Sequence, residues 1–513
     1  MARLDRLRLL SLATFILVSF ADARSQEDPL DGFDGWTLSI MKEWHVPGLG
    51  VAIVHDGEVL LAKGYGYRDL EAGKPVTKDT LFAIGSNTKS FTAALLGMLV
   101  DDGKLSWDRP VHEVLPELRL HDSVATDQMT AIDLLCHRSG LPRHDFYWYA
   151  TGRSRPELLA GLRHLEPSRA FRSTFQYQNL MFLTAGIVAE RVTGKTWETL
   201  VDERIFTPLG MDRAVFSVEE MQRDADFSYP YGREDEKTIR IPFRNIDAIG
   251  PAGSINASVS EMARYVQFHL DLGKVGDTRL LSEDNAKAMQ SPQMVMSGPL
   301  MARVQDGPEI GPPAYGLGLM ISSYRGHAHV RHGGGIDGFI SAMEWLPDDE
   351  IGVIVLSNTS ANGTVPSLVV RNVFDRLLGL DPIDWAGRAR QLEKAIKALK
   401  ADAKKKDHES AHPKTTPSHA RQEYAGRFSH PGYGDAIVTV SDEGMKVSVA
   451  GFELPLEHYH YDVFAVPYDL PGTEGQLSGL KLRFDYDLAG DIDRVLIPLE
   501  PGVSPIEFRR EGD

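Results

Sequence analysis

The chain has 513 residues, 42% of them hydrophobic and 25% charged, with a formal net charge of −17. The length exceeds one ordinary domain, and the composition is that of a globular protein able to bury a sizeable core. The acidic balance, with no basic stretch interleaved with aromatics, excludes a phosphate-backbone partner, so no nucleic acid is expected. A single cysteine, Cys136, excludes an intramolecular disulfide.

The N-terminus, "MARLDRLRLLSLATFILVSFADARSQ", places three arginines before an apolar run from Leu9 to Phe20 and then the small-residue pattern Ala21-Asp22-Ala23. This reads as a signal peptide over residues 1–23, cleaved after Ala23, and predicts a secreted or periplasmic protein. The apolar run is shorter than the roughly 20 residues of a membrane span, so no transmembrane anchor is expected after cleavage. No cysteine near the cleavage site offers a lipid attachment point.

"GLGVAIVHDGEVLLAKGYGYRD" predicts two strands joined by a turn at Asp56-Gly57. "FAIGSNTKSFTAALLGMLVDDGKL" then opens a helix at Ser86, with apolar Phe91, Leu95, Met98 and Leu99 at helical spacing and Gly103 at its stop. From about 105 to 325 helices and loops predominate, punctuated by Pro and Gly. Cys136, in "AIDLLCHRSGLP", reads as a small buried hydrophobe at a helix end. "HAHVRHGGG", "FISAMEWLP" and "EIGVIVLSN" are late strands, the last two joined at Pro347-Asp348-Asp349. Early and late strands form one sheet only if the helical part is inserted between them.

A helical period runs from Trp385 to about Asp402, and "KKKDHESAHPKTTPSHARQ" after it reads as a polar linker without periodicity. From about Glu423, some eight short alternating runs parted by Gly, Pro and Asp predict a small antiparallel barrel or sandwich.

The pattern Ser-x-x-Lys occurs at Ser39–Lys42, Ser86–Lys89 and Ser478–Lys481. Only Ser86 opens a helix, where free backbone N–H groups and the positive dipole end stabilise developing negative charge. Residues i and i+3 share a helical face, so Lys89 can reach Ser86, and desolvation would lower the lysine pKa towards that of a usable base. On the tetrad alone, a capping serine followed by a solvated lysine is the simpler reading. Tyr177-Gln178-Asn179 is the one Tyr-x-Asn among 16 tyrosines and stands on a loop before a helix ending at Gly194. Its phenol could shuttle protons if a neighbouring cation lowers its pKa from about 10. Its asparagine amide could orient Lys89 or a substrate carbonyl. His332-Gly333-Gly334-Gly335 lies at a strand end, where glycines mark a close approach by backbone or ligand.

Ser-x-x-Lys on a helix, Tyr-x-Asn before another and His-x-Gly on a late strand, in that order, resemble the layout of the penicillin-recognising serine hydrolases. The phrases "HVPGLGVAIV", "LLCHRSGLP", "PLGMD", "GPAGSI" and "YGLGLM" are similar to the branch with class C β-lactamases, D-alanyl-D-alanine carboxypeptidases, D-aminopeptidases and esterases. The resemblance covers about residues 35 to 380. It implies an α+β fold of β-lactamase/transpeptidase type: a five-stranded antiparallel sheet flanked by helices, an all-helical region, and the site between them. Residues 24–385 would form this domain, 386–422 a helical and polar linker, and 423–513 a barrel resembling the lipocalin-like domain of some relatives. That barrel can cover the active site or mediate assembly, which leaves a homo-oligomer open.

The resemblance further implies Ser86 as acylated nucleophile, Lys89 as its activator and Tyr177 as proton shuttle. Asn179, His332, Gly333, Gly334 and Gly335 would bind substrate, with oxyanion donors at the Ser86 and Gly335 N–H groups. No cofactor or metal is implied. His-Gly-Gly replaces Lys-Thr-Gly, and an imidazole titrating near pH 6.5 holds a substrate carboxylate less firmly than a lysine, which weakens the case for an efficient β-lactamase. D-amino peptide, β-lactam and simple ester substrates stay open, and no deacylation base is assigned.

An α/β-hydrolase would need a G-x-S-x-G elbow, which is absent. His327, His329 and His332, or His458 and His460, invite a metal, but solvated edge histidines are the simpler reading. A catalytically weak peptidoglycan-binding or assembly protein is the non-enzymatic alternative.

Overall fold

The computed structural model describes residues 28–234, 237–296, 307–361, 363–412, 414–468 and 477–512. The predicted signal peptide lies outside them. Among the described residues no helix is long and apolar enough to cross a membrane.

The central sheet is antiparallel and is built from both ends of its domain. Its strands in chain order are β1 (Gly48–His55), β2 (Glu58–Asp69), β3 (Lys74–Pro75), β4 (Met294–Val295), β5 (Ala314–Tyr315), β6 (Met320–Tyr324), β7 (His327–Ile336), β8 (Phe339–Leu346) and β9 (Ile351–Ser357). The nine lie in the order β4-β5-β6-β7-β8-β9-β1-β2-β3. Asp56 and Gly57 turn the first hairpin with φ of 50° and 77°, the two positive values that a tight right-twisting hairpin demands. β1 pairs on its other side with β9, from Leu49 opposite Ser357 to His55 opposite Ile351, which closes the early and late strands into one sheet. The resemblance implied five strands. The five long ones are present, and β3, β4, β5 and β6 extend the sheet at its two sides with pieces of two to five residues. Edge strands this short leave little unpaired backbone for another chain to join.

One face of the sheet is covered by α1 (Phe33–Glu43) and by the late helix Thr364–Leu377, through Phe33, Ile40, Leu368 and Phe374. The other face meets the helical region. There α2 (Thr88–Asp101), α3 (Asn179–Thr193) and α4 (Val259–Leu270) share one core, and α5 is the Thr364–Leu377 helix already placed. Twelve consecutive residues of α2, Thr88 to Leu99, are buried, so it is a central helix and not an amphipathic surface one.

The helix after the sheet, α6 (Trp385–Ser410), runs 26 residues and takes in "KKKDHES", which the sequence reading assigned to a linker. Alanine, lysine and glutamate favour helix without any apolar period. Lys406–Asp402 and Lys405–Glu409 add i,i+4 pairs, and the helix stops shortly before Pro413.

The C-terminal strands form a closed barrel: β10 (Gly426–His430), β11 (Gly434–Ser441), β12 (Gly444–Val449), β13 (Phe452–His460), β14 (Val463–Ala465), β15 (Lys481–Tyr486), β16 (Ile492–Ile497) and β17 (Ile506–Arg510). The rings of Tyr424, Phe464 and Phe484 pack at 5.0–5.7 Å inside it, so its interior is a core.

Candidate active site

Of the three Ser-x-x-Lys tetrads, Ser39 and Lys42 lie exposed on α1. Ser478 donates to the Tyr468 carbonyl at 2.9 Å, and Lys481 pairs with Asp407. Ser86 is different. It sits in a single 3-10 turn, Gly85–Asn87, that feeds directly into α2, so its neighbouring N–H groups point away from the helix start.

The turn is fixed against the sheet. Asn87 Nδ2 donates to Ser341 Oγ at 2.8 Å, and Ser341 Oγ donates to the Ile84 carbonyl at 2.8 Å. Gly85 has φ of 54°, and a Cβ there would lie 2.7 Å from the Gly335 nitrogen. A Cβ on Gly334 would lie 1.9 Å from the Ile84 oxygen. The glycines of β7 thus let that strand press against the serine turn, and they bring the Gly335 N–H beside Ser86.

Lys89 is completely buried. Its Nζ stands 3.1 Å from Ser86 Oγ, 2.8 Å from Asn179 Oδ1 and 2.7 Å from the Ala252 carbonyl oxygen. Burial pushes its pKa well below the ordinary amine value; Arg143 lowers it further and Asp145 opposes them. No carboxylate among the described residues pairs with Lys89 to restore the charge. A neutral amine has two N–H donors and one lone pair. Asn179 and Ala252 accept the two protons, which leaves the lone pair facing the Ser86 hydroxyl.

Tyr177 and Asn179 flank the start of α3. Asn179 Nδ2 donates to Asp145 Oδ1 at 3.2 Å, so its amide is held at both ends and its oxygen is the end that faces Lys89. Lys89 Nζ lies 4.8 Å, and the Arg143 guanidinium 5.1 Å, from the centre of the Tyr177 ring. The expectation that a cation lowers this phenol's pKa fails. Burial raises it above the ordinary value, and the contacts with Ser86 and Arg143 only reduce that rise. Tyr177 therefore carries its proton across the physiological range.

His332 does not face the cleft as a substrate ligand would. It is 2% exposed; its Nδ1 stands 2.7 Å from the Gly333 carbonyl and its Nε2 2.8 Å from Tyr315 Oη. A carbonyl only accepts, so the proton sits on Nδ1 and Nε2 accepts from Tyr315. Burial, with Lys89 next, lowers its pKa to about 3, which keeps the ring neutral and leaves it no donor for a substrate carboxylate. The other two β7 histidines do not lie on a sheet edge, because β7 has neighbours on both sides. His329 is buried against Glu344 at 2.8 Å, and His327 pairs with Asp349 at 2.9 Å. No group of metal-ligating side chains is present among the described residues. Cys136 is buried and its thiol is raised to about 12, as an inert core residue requires.

Ser86, Asn179 and Gly335 open onto a cleft of about 350 Å³. Its other walls hold groups that the sequence reading missed. Arg143 Nε donates to Asp145 Oδ2 at 2.5 Å, and Trp148 Nε1 donates to Asp145 Oδ1 at 3.0 Å. Tyr149 Oη donates to Asp337 at 2.6 Å, and Arg244 Nε reaches the same carboxylate at 2.9 Å. His137 is also buried, with its ring 4.3 Å from that of Tyr177. For Arg143, Asp145, Trp148 and Tyr149 the signal was the run "RHDFYWY", charged and aromatic residues directly after the "SGLP" punctuation.

The family model described as Beta-lactamase matches residues 33–375, and one described as a domain of unknown function (DUF3471) matches residues 410–510. The chain is 29% identical to a protein named unguisins hydrolase ungD′ from Aspergillus campestris, over 95% of this chain and 93% of that one. It is 27% identical to a D-aminopeptidase from Gluconobacter oxydans, over 63% of this chain and 57% of that one. Among solved structures, the octameric penicillin-binding protein homologue from Pyrococcus abyssi aligns with a TM-score of 0.61 at 25% identity, covering 94% of this chain and 100% of that one.

Proposed function

Because the chain belongs to the β-lactamase family of serine hydrolases, we propose that it cleaves an amide or ester bond through an acyl-enzyme on Ser86. The observation that carries this is the buried Lys89 amine, 3.1 Å from Ser86 Oγ and held by two uncharged acceptors. Lys89 takes the Ser86 proton as Oγ attacks the carbonyl carbon. The Ser86 and Gly335 N–H groups receive the developing oxyanion. Tyr177, protonated, gives its proton to the leaving nitrogen or oxygen and recovers one from Lys89. Water then attacks the ester, and the same carriers return the proton to Ser86.

The charges in and beside the cleft support a reading of the substrate class. His332 has no free donor, and Arg143 and Arg244 are each held by an aspartate. A substrate with no carboxylate beside the scissile bond suits this site better than a penicillin or a C-terminal D-alanyl acid. D-amino-acid amides and peptides cleaved from the amino end, or related small esters, are therefore the favoured substrates, in keeping with the name of the D-aminopeptidase relative. Residues 1–23, read as a signal, would deliver the enzyme outside the cytoplasm. The test is a panel of D-alanine amide, D-alanyl peptides, nitrocefin and p-nitrophenyl esters with wild type and Ser86→Ala. Turnover of amide or ester that vanishes in the variant supports the proposal; equal turnover in both contradicts it.

A further inference from the structure

Asp145 and Tyr149, two walls of the cleft, sit on the loop of residues 142–150, and the barrel contacts this loop through Tyr433, Phe452 and Glu500. His144 is buried within the loop and lies in the left-handed backbone region, φ 46° and ψ 41°, where residues with side chains are uncommon. Its backbone N–H donates to Glu500 Oε2 at 2.6 Å, across 356 positions of sequence. Its Nε2 stands 2.9 Å from the Glu166 carbonyl, which fixes the ring proton on Nε2. Nδ1, 2.7 Å from Tyr433 Oη, is then the acceptor of the tyrosine proton. Glu500 is itself pinned, its other oxygen accepting from Gly502 N at 3.0 Å.

A second contact repeats the pattern. Phe452 of β13 stacks on Tyr149 with ring centres 6.1 Å apart and planes 11° apart, and meets Phe146 edge-on at 5.9 Å. A Cβ on Gly451, the residue before it, would lie 2.1 Å from the Ala150 carbonyl, so barrel and loop are in close backbone contact. From Asp145 the chain of contacts continues to Asn179 Nδ2 and from Asn179 Oδ1 to Lys89.

We propose that the barrel is a positioning part of the catalytic cleft: Tyr433 and Glu500 lock His144, His144 sets Asp145, and Asp145 orients the Asn179 amide on Lys89, while Phe452 sets the Tyr149 wall. His144, Tyr433, Glu500 and Phe452 are positioning residues, since none touches the reacting atoms. The kinetic half of the proposal rests on Ser86 being the group acylated; the structural half does not.

The test uses the full chain and two readouts, hydrogen exchange of residues 143–149 and the rate of Ser86 labelling by a fluorophosphonate. Tyr433→Phe removes one hydroxyl and Glu500→Gln one charge, with little change of shape. Each is expected to speed exchange in the loop about tenfold, with exchange in α2 unchanged, and to slow labelling about fivefold or more. Leu482→Ala, inside the barrel and away from the loop, is expected to lower the unfolding temperature and leave both readouts at wild-type values. Loop exchange unchanged in the two variants overturns the inference. So does faster exchange with unchanged labelling, or an equal effect of Leu482→Ala. If wild type takes no probe, the acyl-enzyme reading fails by itself, and loop exchange still decides whether the barrel holds the loop.

Discussion

Asn179 Oδ1 accepts from Lys89 Nζ at 2.8 Å, and this one bond decides which way the lysine lone pair points. With the Ala252 carbonyl taking the second proton, the remaining direction leads to Ser86. Lys89→Ala removes the base and is expected to lower turnover by about 10²-fold or more. Lys89→Arg keeps a long basic side chain but carries a fixed positive charge and no lone pair at neutral pH, so it should not rescue activity. Steady-state kinetics on the best ester of the panel decides this.

The pH dependence has a definite sign. The active form of Lys89 is the neutral amine, and burial lowers its pKa well below the ordinary value. Rate should therefore rise with pH through that lowered pKa and reach its plateau far below pH 10, where an ordinary lysine would only begin to lose its proton. A rate that still climbs steeply between pH 9 and 11 would contradict a desolvated lysine base.

Tyr177→Phe keeps the ring against Lys89 and Arg143 but removes the proton carrier, with an expected cost of about 10²-fold or more in turnover. Because burial raises this phenol's pKa, the wild-type profile should show no alkaline loss from tyrosine ionisation below about pH 10. Near-wild-type turnover in Tyr177→Phe would remove it from the mechanism.

Much of this architecture was legible in the residues, and the failures share a cause. The Asp56-Gly57 turn and the alternation in the barrel are local signals, and both chose the right structure. The resemblance carried by the order of Ser86, Lys89, Tyr177 and Asn179, and no local rule alone, implied that they meet. The structure has Lys89 Nζ 3.1 Å from Ser86 Oγ, 2.8 Å from Asn179 Oδ1 and 4.8 Å from the Tyr177 ring centre. The helix through residue 410 was missed because its stability comes from propensity and ion pairs, without an apolar face. The short strands at the sheet edges, two to five residues long, are too short to show a period of their own. The pKa of Tyr177, the inward turn of His332 and the Arg244–Asp337 pair depend on burial and on partners elsewhere in the sequence.

Acid stability tests the buried histidines. His332 and His269 both have pKa values lowered by burial, to about 3. Between that value and the ordinary one near 6.5 the unfolded chain binds protons that the folded chain refuses, so stability falls as pH drops through this window. Each histidine contributes a slope of about 1.4 kcal/mol per pH unit there. Urea midpoints measured from pH 7 to 4 should fall, and His269→Phe should flatten the slope; a slope unchanged by that substitution would place the acid sensitivity elsewhere.

The central claim is that Ser86, out of all the serines in the chain, becomes acylated. Incubating the full chain with a fluorophosphonate, weighing it intact and sequencing the modified peptide tests this most directly. One adduct per chain on Ser86, absent from Ser86→Ala and slowed in Lys89→Ala, is the expected result. An adduct that persists in Ser86→Ala, or is found on another serine, would contradict it.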